Sequence, residues 1–475
     1  MRALVLALGA ALLLAVAPAQ AATKLTITGA GFGHGIGMSQ YGAYGYALHL
    51  QSYSSILGHY YTGTALGQLQ TNPEVKVLLQ GGKKSIAFNG ALNAGETSLD
   101  PATTYTVKHG GDGLVLRDNS GKAVGTTPGP LRVDAPVDQA LKLMGTSVPG
   151  VRDGLYRGSL IISLLGSRLI AVNALDLEGY VRGVVSGESP SGWPPEALKA
   201  QAVAARTYAI TTHAGGATFD QYADTRSQVY RGVAAETPNT DAAVAATRGQ
   251  VVTYGGQPVT TYFFSTSGGE TEDIENSFVG SQPQPWLKAV DDPFDSVSPK
   301  HRWGPLRYTA KQVQSKLRRY LKGTFKSIKV LQRGVSPRVV RAQVIGTRGR
   351  INVTGPQLRS AFGLNDTWAF FTSVTSKASK SKKKAKPTPA PAGDPSGGIS
   401  PVARAAAAAA PRIEGTIAPA RVGRWLSVER LDGRKWVTAT DARVLQGGRY
   451  SVQVPRPGVY RVVYGKAVGP DVRVG

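Results

Sequence analysis

Residues 178–190 read EGYVRGVVSGESP, and residues 196–209 read EALKAQAVAARTYA. Apolar side chains at 177, 181, 184 and 185 recur at helical spacing, which predicts a short helix that ends at Gly187. Two prolines before Glu196 begin a second helix, because proline is tolerated and an acidic side chain is favourable in a first turn. The spine of this second helix is mostly alanine, and such small side chains allow close packing. We therefore expect the second helix at the centre of the domain.

Strand patterns dominate a long stretch before these helices. Between about residues 70 and 170, short apolar runs alternate with Gly, Asn and Asp clusters, which predicts a β-rich insert. We therefore assign residues 22–375 to a mixed α+β fold that contains this insert. Other elements expected in this fold are a strand at 24–28, a helical segment at 44–61, and strands at 251–254 and 259–264.

The composition changes after this region. Residues 377–386 contain six lysines and are followed by prolines and alanines, which predicts an extended linker at 376–411. The lysine run either docks on a polyanion or is a plain tether. Residues 412–475 regain strand alternation and predict a small all-β sandwich module.

The N-terminus has the pattern of an export signal. Met1 and Arg2 precede an apolar run from Ala3 to Ala17, and AQA at 19–21 matches a small-residue cleavage site. The run is too short to span a bilayer, so residues 1–21 predict a secretory signal peptide cleaved after Ala21. The alternative is an uncleaved membrane anchor. With cleavage we expect a secreted, extracellular protein that associates with the cell wall.

The charge balance points to an anionic partner. Lysine and arginine total 55 against 30 acidic residues, a formal charge of +25. Nucleic acid and anionic envelope polymers both suit such a charge. Export argues against nucleic acid, and no motif combining aromatic and basic residues supports it, so we expect no nucleic acid partner.

The sequence predicts no metal and no cofactor. It contains no cysteine, which excludes disulfides, thiol nucleophiles and cysteine-ligated zinc. The histidines lack metal-ligand spacing.

A glycine-rich segment, GFGHGIGMSQYGA at residues 31–43, is the first candidate for a functional site. Its spacing does not match a dinucleotide-binding loop, and no carboxylate follows at the distance that a ribose would need. Alternating glycines leave the backbone open to a bulky ligand, while His34, Ser39 and Gln40 offer hydrogen bonds. The alternative is a structural turn with core tyrosines nearby.

Glu188 is the second candidate. It falls between the two predicted helices, beside Trp193 and near a helix C-terminus. An aromatic neighbour and the negative end of a helix dipole both disfavour a carboxylate, so we expect a raised pKa that suits a general acid. On spacing alone, a solvated loop glutamate is the better explanation of this residue.

The third candidate is YFFSTSGGETE at residues 262–272, where a strand breaks into a hydroxyl-rich turn with two acids. It is either the wall of a groove that binds a polar substrate or a polar hairpin end.

Together these motifs resemble the SpoIID/LytB family, named after the stage II sporulation protein D and an amidase enhancer. The resemblance covers about residues 24–66 and 160–375. It is carried by the two stretches quoted first, by DTRSQVYRG at 224–232, by the Ser-Gly-Gly-x-Thr turn, and by the glycine-rich segment with ILGHYY at 56–61.

The order of these motifs is unusual for that family. There, the Gly-His-Gly segment usually follows the Glu-bearing helices, whereas here it precedes them. Residues 358–364, which resemble the block just before that segment, run instead into the lysine-rich linker. The resemblance therefore implies a circular permutation, which requires that the ends of the domain lie close together. It also predicts that the loop at His34 folds against the Glu188 region.

The resemblance implies a peptidoglycan lytic transglycosylase, which cuts glycan strands between N-acetylmuramic acid and N-acetylglucosamine. The family's catalytic acid falls on Glu188, and one carboxyl group suffices if it acts first as acid and then as base. Without cysteine, the zinc site that some members build from Cys and His is not expected. The residues expected to bind substrate are His34, Ser39, Gln40, Arg206, Tyr208, Ser265, Ser267, Gly268, Gly269 and Thr271. Arg206 and Tyr208 could instead hold Glu188, and helix–sheet packing explains Tyr208 equally well.

A second function is compatible with the same motifs. Part of the family is described as non-catalytic, so the chain could bind peptidoglycan and recruit or enhance a cell-wall amidase. The expected partners are thus peptidoglycan glycan strands, with anionic wall polymers at the lysine-rich linker and an amidase as further candidates.

Overall fold

The computed structural model describes residues 23–375 except 112 and 149, and residues 412–474 except 417–423, 434, 447–448, 455, 465–466 and 470. The chain divides into two units, Met1–Ser376 and Lys377–Gly475. The predicted signal peptide and lysine-rich linker lie outside the described residues. Within the described ranges, no helix is long and apolar enough to cross a membrane.

Four helices of the first unit pack around one central helix. In chain order the helices of this unit are α1 (Gln40–Leu48), α2 (Tyr53–Tyr60), α3 (Leu177–Glu188), α4 (Pro195–Thr211), α5 (Pro238–Ala246), α6 (Ile274–Ser277), α7 (Ala310–Lys316) and α8 (Gly355–Phe362). Helix α4 contacts α1, α2, α3 and α5. Its alanine-rich spine is buried, which lets these neighbours approach closely. The predicted central position is confirmed.

Helix α3 forms as its sequence pattern predicts. The Asp176 side chain accepts a hydrogen bond from the Gly179 N–H and so caps the N-terminus. The predicted apolar face, which includes Val181 and Val184, is buried. The helix ends at Glu188, one residue later than predicted.

The predicted helical segment at 44–61 is two helices, α1 and α2. The chain turns between them, and Leu50 adopts a left-handed φ of 60° there. Ser52 caps the N-terminus of α2, because its side chain accepts a hydrogen bond from the Ser55 N–H.

The strands of the first unit lie in several sheets. In chain order they are β1 (Thr23–Ala30), β2 (Met38–Ser39), β3 (Ala65–Gln68), β4 (Glu74–Lys83), β5 (Ser85–Asn89), β6 (Asn93–Ala94), β7 (Thr97–Ser98), β8 (Tyr105–Gly110), β9 (Gly113–Arg117), β10 (Ala123–Thr127), β11 (Leu131–Asp134), β12 (Leu141–Val148), β13 (Val151–Tyr156), β14 (Ser159–Leu165), β15 (Arg168–Asp176), β16 (Gln221–Tyr222), β17 (Gln250–Tyr254), β18 (Gln257–Pro258), β19 (Phe263–Phe264), β20 (Arg302–Tyr308), β21 (Phe325–Arg333), β22 (Val339–Gly346), β23 (Gly349–Thr354) and β24 (Ala369–Thr375).

The expected β-rich region consists of two sheets that share a core with the helices. One sheet has the order β10-β9-β8-β5-β12-β13, and the other has the order β16-β4-β15-β14-β11-β6-β7. Val77 and Leu160 from the strands belong to the same buried cluster as Val184 of α3 and Ala202 of α4. The α+β prediction is confirmed.

A short parallel pairing brings two of the candidate motifs together. Strand β19 pairs with β2, so Phe263 lies opposite Met38 and Phe264 opposite Ser39. The prediction of a continuous strand over 259–264 is wrong, because only its last two residues are in a strand. The turn that follows β19 therefore lies beside the end of the glycine-rich segment.

The two ends of the first unit lie side by side. Strand β1 pairs with β24 in an antiparallel register that places Thr23 opposite Thr375, and it pairs with β20 on its other side. The predicted strand at 24–28 is thus confirmed as part of a three-stranded sheet.

The second unit is an all-β module. Its strands are β25 (Arg412–Thr416), β26 (Trp425–Asp432), β27 (Lys435–Arg443), β28 (Arg449–Gln453), β29 (Gly458–Tyr464), β30 (Ala467–Val468) and β31 (Val472–Val474). One sheet pairs β25 with β28, and the other is built around β26 and β29. Ile413 and Val452 of the first sheet share a buried cluster with Val428 and Tyr460 of the second.

Candidate functional site

The Glu188 carboxyl group is held by two donors from distant parts of the chain. Its Oε1 accepts a hydrogen bond from the Val229 backbone N–H at 2.7 Å. Its Oε2 accepts one from Gln40 Nε2 at 3.2 Å, and the same amide also contacts the Glu188 carbonyl oxygen at 3.3 Å. Glu188 is half-buried at the C-terminal end of α3. It is therefore a positioned side chain and not a freely solvated loop glutamate.

Burial raises the pKa of Glu188 above its usual value. The Val229 N–H, the Gln40 amide and the positive charge of Arg231 act in the opposite direction, because each stabilises the carboxylate. The expected direction is correct, and its main cause is desolvation by burial.

Gln40 reaches Glu188 because it is the first residue of α1, which packs against α4. Its Nε2 also contacts Oε1 of Gln201, a buried residue of α4, at 3.4 Å. The amide is thus held between an acceptor on the central helix and the Glu188 carboxyl group. The expected approach of the glycine-rich segment to the Glu188 region is confirmed for Gln40.

His34 occupies a different environment from the one expected. Its ring packs against Phe264 and Phe278 with centroids 5.3 and 5.4 Å away, and against Tyr262 at 6.0 Å. Its Nδ1 accepts a hydrogen bond from the Ile36 N–H at 3.1 Å. Burial, followed by the charge of Arg359, lowers the pKa of His34 to about 3. The imidazole is therefore neutral at physiological pH, and its contacts are with this aromatic group instead of with Glu188.

The alternating glycines serve the packing of the protein's own chain. Gly35 and Gly37 have φ values of 86° and 71°, which side chains with a Cβ rarely adopt. A Cβ at Gly35 would collide with the Arg338 guanidinium, and one at Gly37 would collide with the Tyr262 carbonyl group. The expectation that these glycines leave room for a ligand is therefore wrong at these positions.

Asp295 organises a buried network that links two candidate motifs. Its Oδ1 accepts hydrogen bonds from Ser39 Oγ at 3.1 Å and from the Ser267 N–H at 2.8 Å. Its Oδ2 accepts one from the Gly268 N–H at 2.9 Å and contacts His301 Nδ1 at 2.9 Å. These bonds bury Ser39, Ser267 and Gly268. The prediction that these three residues bind substrate is therefore wrong.

The rest of the Ser-Gly-Gly turn divides between buried and accessible positions. Thr271 is buried and exchanges hydrogen bonds with Val290, and Gly269 is buried as well. Ser265 differs, because it is half-buried and its carbonyl oxygen accepts a hydrogen bond from the Tyr41 N–H at 3.0 Å. Among the residues of this turn that were predicted to bind substrate, Ser265 is therefore the one that contacts Tyr41, the residue after Gln40.

Arg206 is a structural residue and not a ligand of the substrate or of Glu188. Its guanidinium is 0% exposed and pairs with both oxygens of Glu178, at 2.8 and 2.7 Å. It also donates to the Gln250 carbonyl oxygen at 3.2 Å. These bonds join α4, which carries Arg206, to α3 and to the start of β17. Each of the two charges can be buried because the other is present.

Tyr208 is half-buried on the same helix. Its ring lies edge-on to Tyr262 and Phe263, with centroids 5.8 and 6.4 Å away. Packing between helix and strand, the alternative left open by the sequence, accounts for this position.

The described residues contain no group of three or more His, Asp or Glu side chains that could hold a metal ion. Three residues that the sequence analysis missed shape the site instead: Gln201, Asp295 and Val229. Gln201 and Val229 lie inside the quoted motifs, and helical spacing from Leu198 and Ala205 could have placed Gln201 on the buried face of α4. Asp295 begins a short 3₁₀ helix (Asp295–Val297), and nothing in its local sequence marks it as part of the site.

Comparison with known proteins identifies the region around Glu188. Residues 166–254 match the family model described as "SpoIID: Stage II sporulation protein". This range includes β15, α3, the turn that follows Glu188, α4, α5 and β17. This region is therefore similar to the SpoIID family, and the resemblance found in its motifs is confirmed.

The relatives share parts of their length with this chain. Stage II sporulation protein D of Bacillus subtilis is 35% identical over 213 residues, which cover 41% of this chain and 60% of that protein. The amidase enhancer of the same organism is 42% identical over 115 residues, covering 24% and 15%. An uncharacterized protein of Brachyspira hyodysenteriae is 39% identical over 152 residues, covering 28% and 41%. The chain thus spans less than two thirds of the length of each.

Proposed function

We propose that this protein is a secreted cell-wall enzyme that cleaves peptidoglycan glycan strands between N-acetylmuramic acid and N-acetylglucosamine. The observation that carries the proposal is the Glu188 carboxyl group, half-buried, with a raised pKa and a donor on each oxygen. The similarity to stage II sporulation protein D and to an amidase enhancer supports a role at the cell wall.

The first step uses Glu188 as a general acid. A raised pKa keeps part of the population protonated closer to neutral pH than an ordinary glutamate would be. The carboxyl group gives its proton to the glycosidic oxygen while the bond from that oxygen to C1 of the muramic acid residue breaks. The N-acetylglucosamine side leaves as an alcohol, and positive charge develops at C1.

The second step uses the carboxylate that remains. Glu188 accepts the proton of the 6-hydroxyl group of the same muramic acid residue while that oxygen bonds to C1. A 1,6-anhydro ring forms, Glu188 is again protonated, and no water is consumed. Hydrolytic glycosidases ordinarily need a second carboxylate, whereas this sequence of steps needs one.

Gln40 and the Val229 N–H hold the carboxyl group for both steps. Their hydrogen bonds stabilise the ionised form and so limit the rise in pKa that burial causes. A carboxyl group balanced in this way can lose and regain its proton within one catalytic cycle.

The test is the production of anhydro-muramyl ends from purified glycan strands, measured by mass spectrometry. Glu188→Gln keeps the shape of the side chain but has no proton to give, so the rate should fall at least about 100-fold. Glu96→Gln changes an exposed glutamate of the β-rich region and should cleave like the parent protein. Equal cleavage by the Glu188→Gln and parent proteins would overturn the proposal.

The similarity to the amidase enhancer supports a second candidate, a non-catalytic protein that binds peptidoglycan and enhances a cell-wall amidase. This function predicts that the parent and Glu188→Gln proteins bind glycan strands equally and make no new ends. It also predicts that both raise the turnover of an added cell-wall amidase. The same assay, repeated with and without the amidase, therefore separates the two functions.

A further inference from the structure

Three aromatic side chains form a cluster beside Glu188, and we refer to them as the aromatic triad: Tyr41, Tyr44 and Trp193. Tyr44 stacks on Trp193 with centroids 4.9 Å apart and planes at 30°. Tyr41 meets Trp193 at 5.1 Å and Tyr44 at 6.3 Å, edge-on in both cases. All three side chains are half-buried, so each presents part of its surface to solvent.

The aromatic triad is attached to both sides of the Glu188 carboxyl group. Tyr41 directly follows Gln40, whose amide donates to Glu188. Trp193 is the last residue of the turn that follows Glu188. Its backbone N–H donates to the Pro190 carbonyl oxygen at 3.1 Å. Both connections are short, because Tyr41 is the next residue after Gln40 and Trp193 is the fifth residue after Glu188.

The polar atoms of the aromatic triad are not used inside the protein. Within the described part of the chain, no hydrogen bond is made by the Tyr41 and Tyr44 hydroxyl groups or by Trp193 Nε1, and none of these atoms is buried without a partner. Trp286 and Trp303 differ, because their indole N–H groups donate to the carbonyl oxygens of Thr260 and Gly31. Aromatic residues that only fill a core normally satisfy such atoms, whereas these face water.

We propose that the aromatic triad is a subsite that binds an N-acetylated pyranose ring of the glycan strand, next to the bond that Glu188 cleaves. The proposal rests on the proposed function. A pyranose with equatorial substituents presents a face of C–H groups, which packs on an aromatic ring. Its hydroxyl and acetamido groups then meet the phenol and indole groups at the ring edges.

The experiment measures equilibrium binding of purified glycan strands to the full chain by calorimetry. Every protein carries Glu188→Gln, so the ligand stays intact. Tyr44→Ala removes one ring of the subsite and should weaken binding about fivefold to tenfold. Tyr44→Phe keeps the ring and should bind within about twofold of the Glu188→Gln parent.

A matched control is available in another Tyr–Trp pair. Tyr254 is 40% exposed and lies 5.5 Å from the Trp286 ring. Tyr254→Ala should leave glycan affinity unchanged, and an equal loss in this variant would overturn the subsite. Trp193 also packs against two core clusters, so Trp193→Leu could disturb the fold. This variant serves as a second test of binding when its melting temperature is close to that of the Glu188→Gln parent.

The possible failures are distinguishable. If the Glu188→Gln parent binds glycan strands and Tyr44→Ala binds them equally well, the aromatic triad is not a subsite, while the proposed function stands. If the parent binds no glycan strand, the proposed function fails together with the subsite.

Discussion

Removal of Arg206 should destabilise the first unit severely without changing its chemistry. In Arg206→Met, the Glu178 carboxylate keeps the hydrogen bond from the Gly249 N–H at 3.0 Å and loses both guanidinium bonds. Its side chain is only 9% exposed, so water cannot replace the lost partner. A buried carboxylate without its guanidinium partner lowers the free energy of unfolding by about 3–5 kcal/mol.

The double variant Glu178→Leu/Arg206→Met provides the second half of the test. It removes both charges and replaces them with apolar groups, so it should recover most of the loss suffered by Arg206→Met. The difference between the double variant and the sum of the two single variants isolates the pairwise interaction. Glu178→Leu is the second single variant of that comparison, and it leaves the Arg206 guanidinium buried without an anion.

Urea unfolding of the full chain, followed by circular dichroism, measures these free energies, and the transition of the first unit is the one that should move. A cost below about 1 kcal/mol for Arg206→Met would refute the structural account of this pair, since that is the range of exposed ion pairs. The folded Arg206→Met protein should also bind glycan strands like its parent. Unchanged stability with lost glycan affinity would make Arg206 a substrate ligand after all.

Three further predictions concern the surroundings of the site. Folding raises the pKa of Glu188, so the stability that this residue contributes is lost as the pH rises through its folded-state pKa. The melting temperature of Glu188→Gln relative to the parent should therefore increase between about pH 4 and about pH 7. A constant difference in melting temperature would contradict this prediction. Burial, followed by the charge of Asp295, raises the pKa of Asp292 to about 7. Asp292→Asn should therefore remove a loss of stability that the parent shows as pH rises from about 4 through about 7, which urea unfolding at several pH values would test. A Cβ at Gly42 would collide with the Tyr60 hydroxyl group and the Asp292 carboxyl group, so Gly42→Ala should lower the free energy of unfolding by about 1–3 kcal/mol. The control is Gly58→Ala, in open space on α2, which should raise the free energy of unfolding by about 0.5–1 kcal/mol. Urea unfolding measures both changes.

The fold follows from the sequence where one local pattern decides it. Apolar spacing and the small residues of α4 were enough to predict α3, α4 and their burial. The break between α1 and α2 was missed, because both helices are apolar and the turn at Leu50 carries no glycine or proline.

The candidate site was predictable in part. The motifs led to Glu188 and to the approach of Gln40, but local sequence cannot distinguish a hydroxyl group that faces a ligand from one that binds a buried carboxylate. The Ser39 hydroxyl group belongs to the second kind because it donates to Asp295, which is 256 residues away along the chain. Ser267 is held by the same carboxylate through its backbone N–H. Such long-range partners become visible only in the folded chain.

The circular permutation remains a prediction from motif order. It requires neighbouring ends, and the antiparallel pairing of Thr23 with Thr375 meets that requirement. A short loop between these two residues would restore the family's order of motifs without displacing either strand.

The same pairing determines how the unit responds to tension. A load applied between the segment before Thr23 and the segment after Thr375 acts on one terminal pair, so β24 peels from β1 pair by pair instead of resisting by shear along its whole length. Six residue pairs lie between that load and the pair formed by Gly29, which precedes the glycine-rich segment carrying Gln40. Stretching of the chain would therefore open the edge of this sheet before it disturbs the hydrogen bond between Gln40 and Glu188.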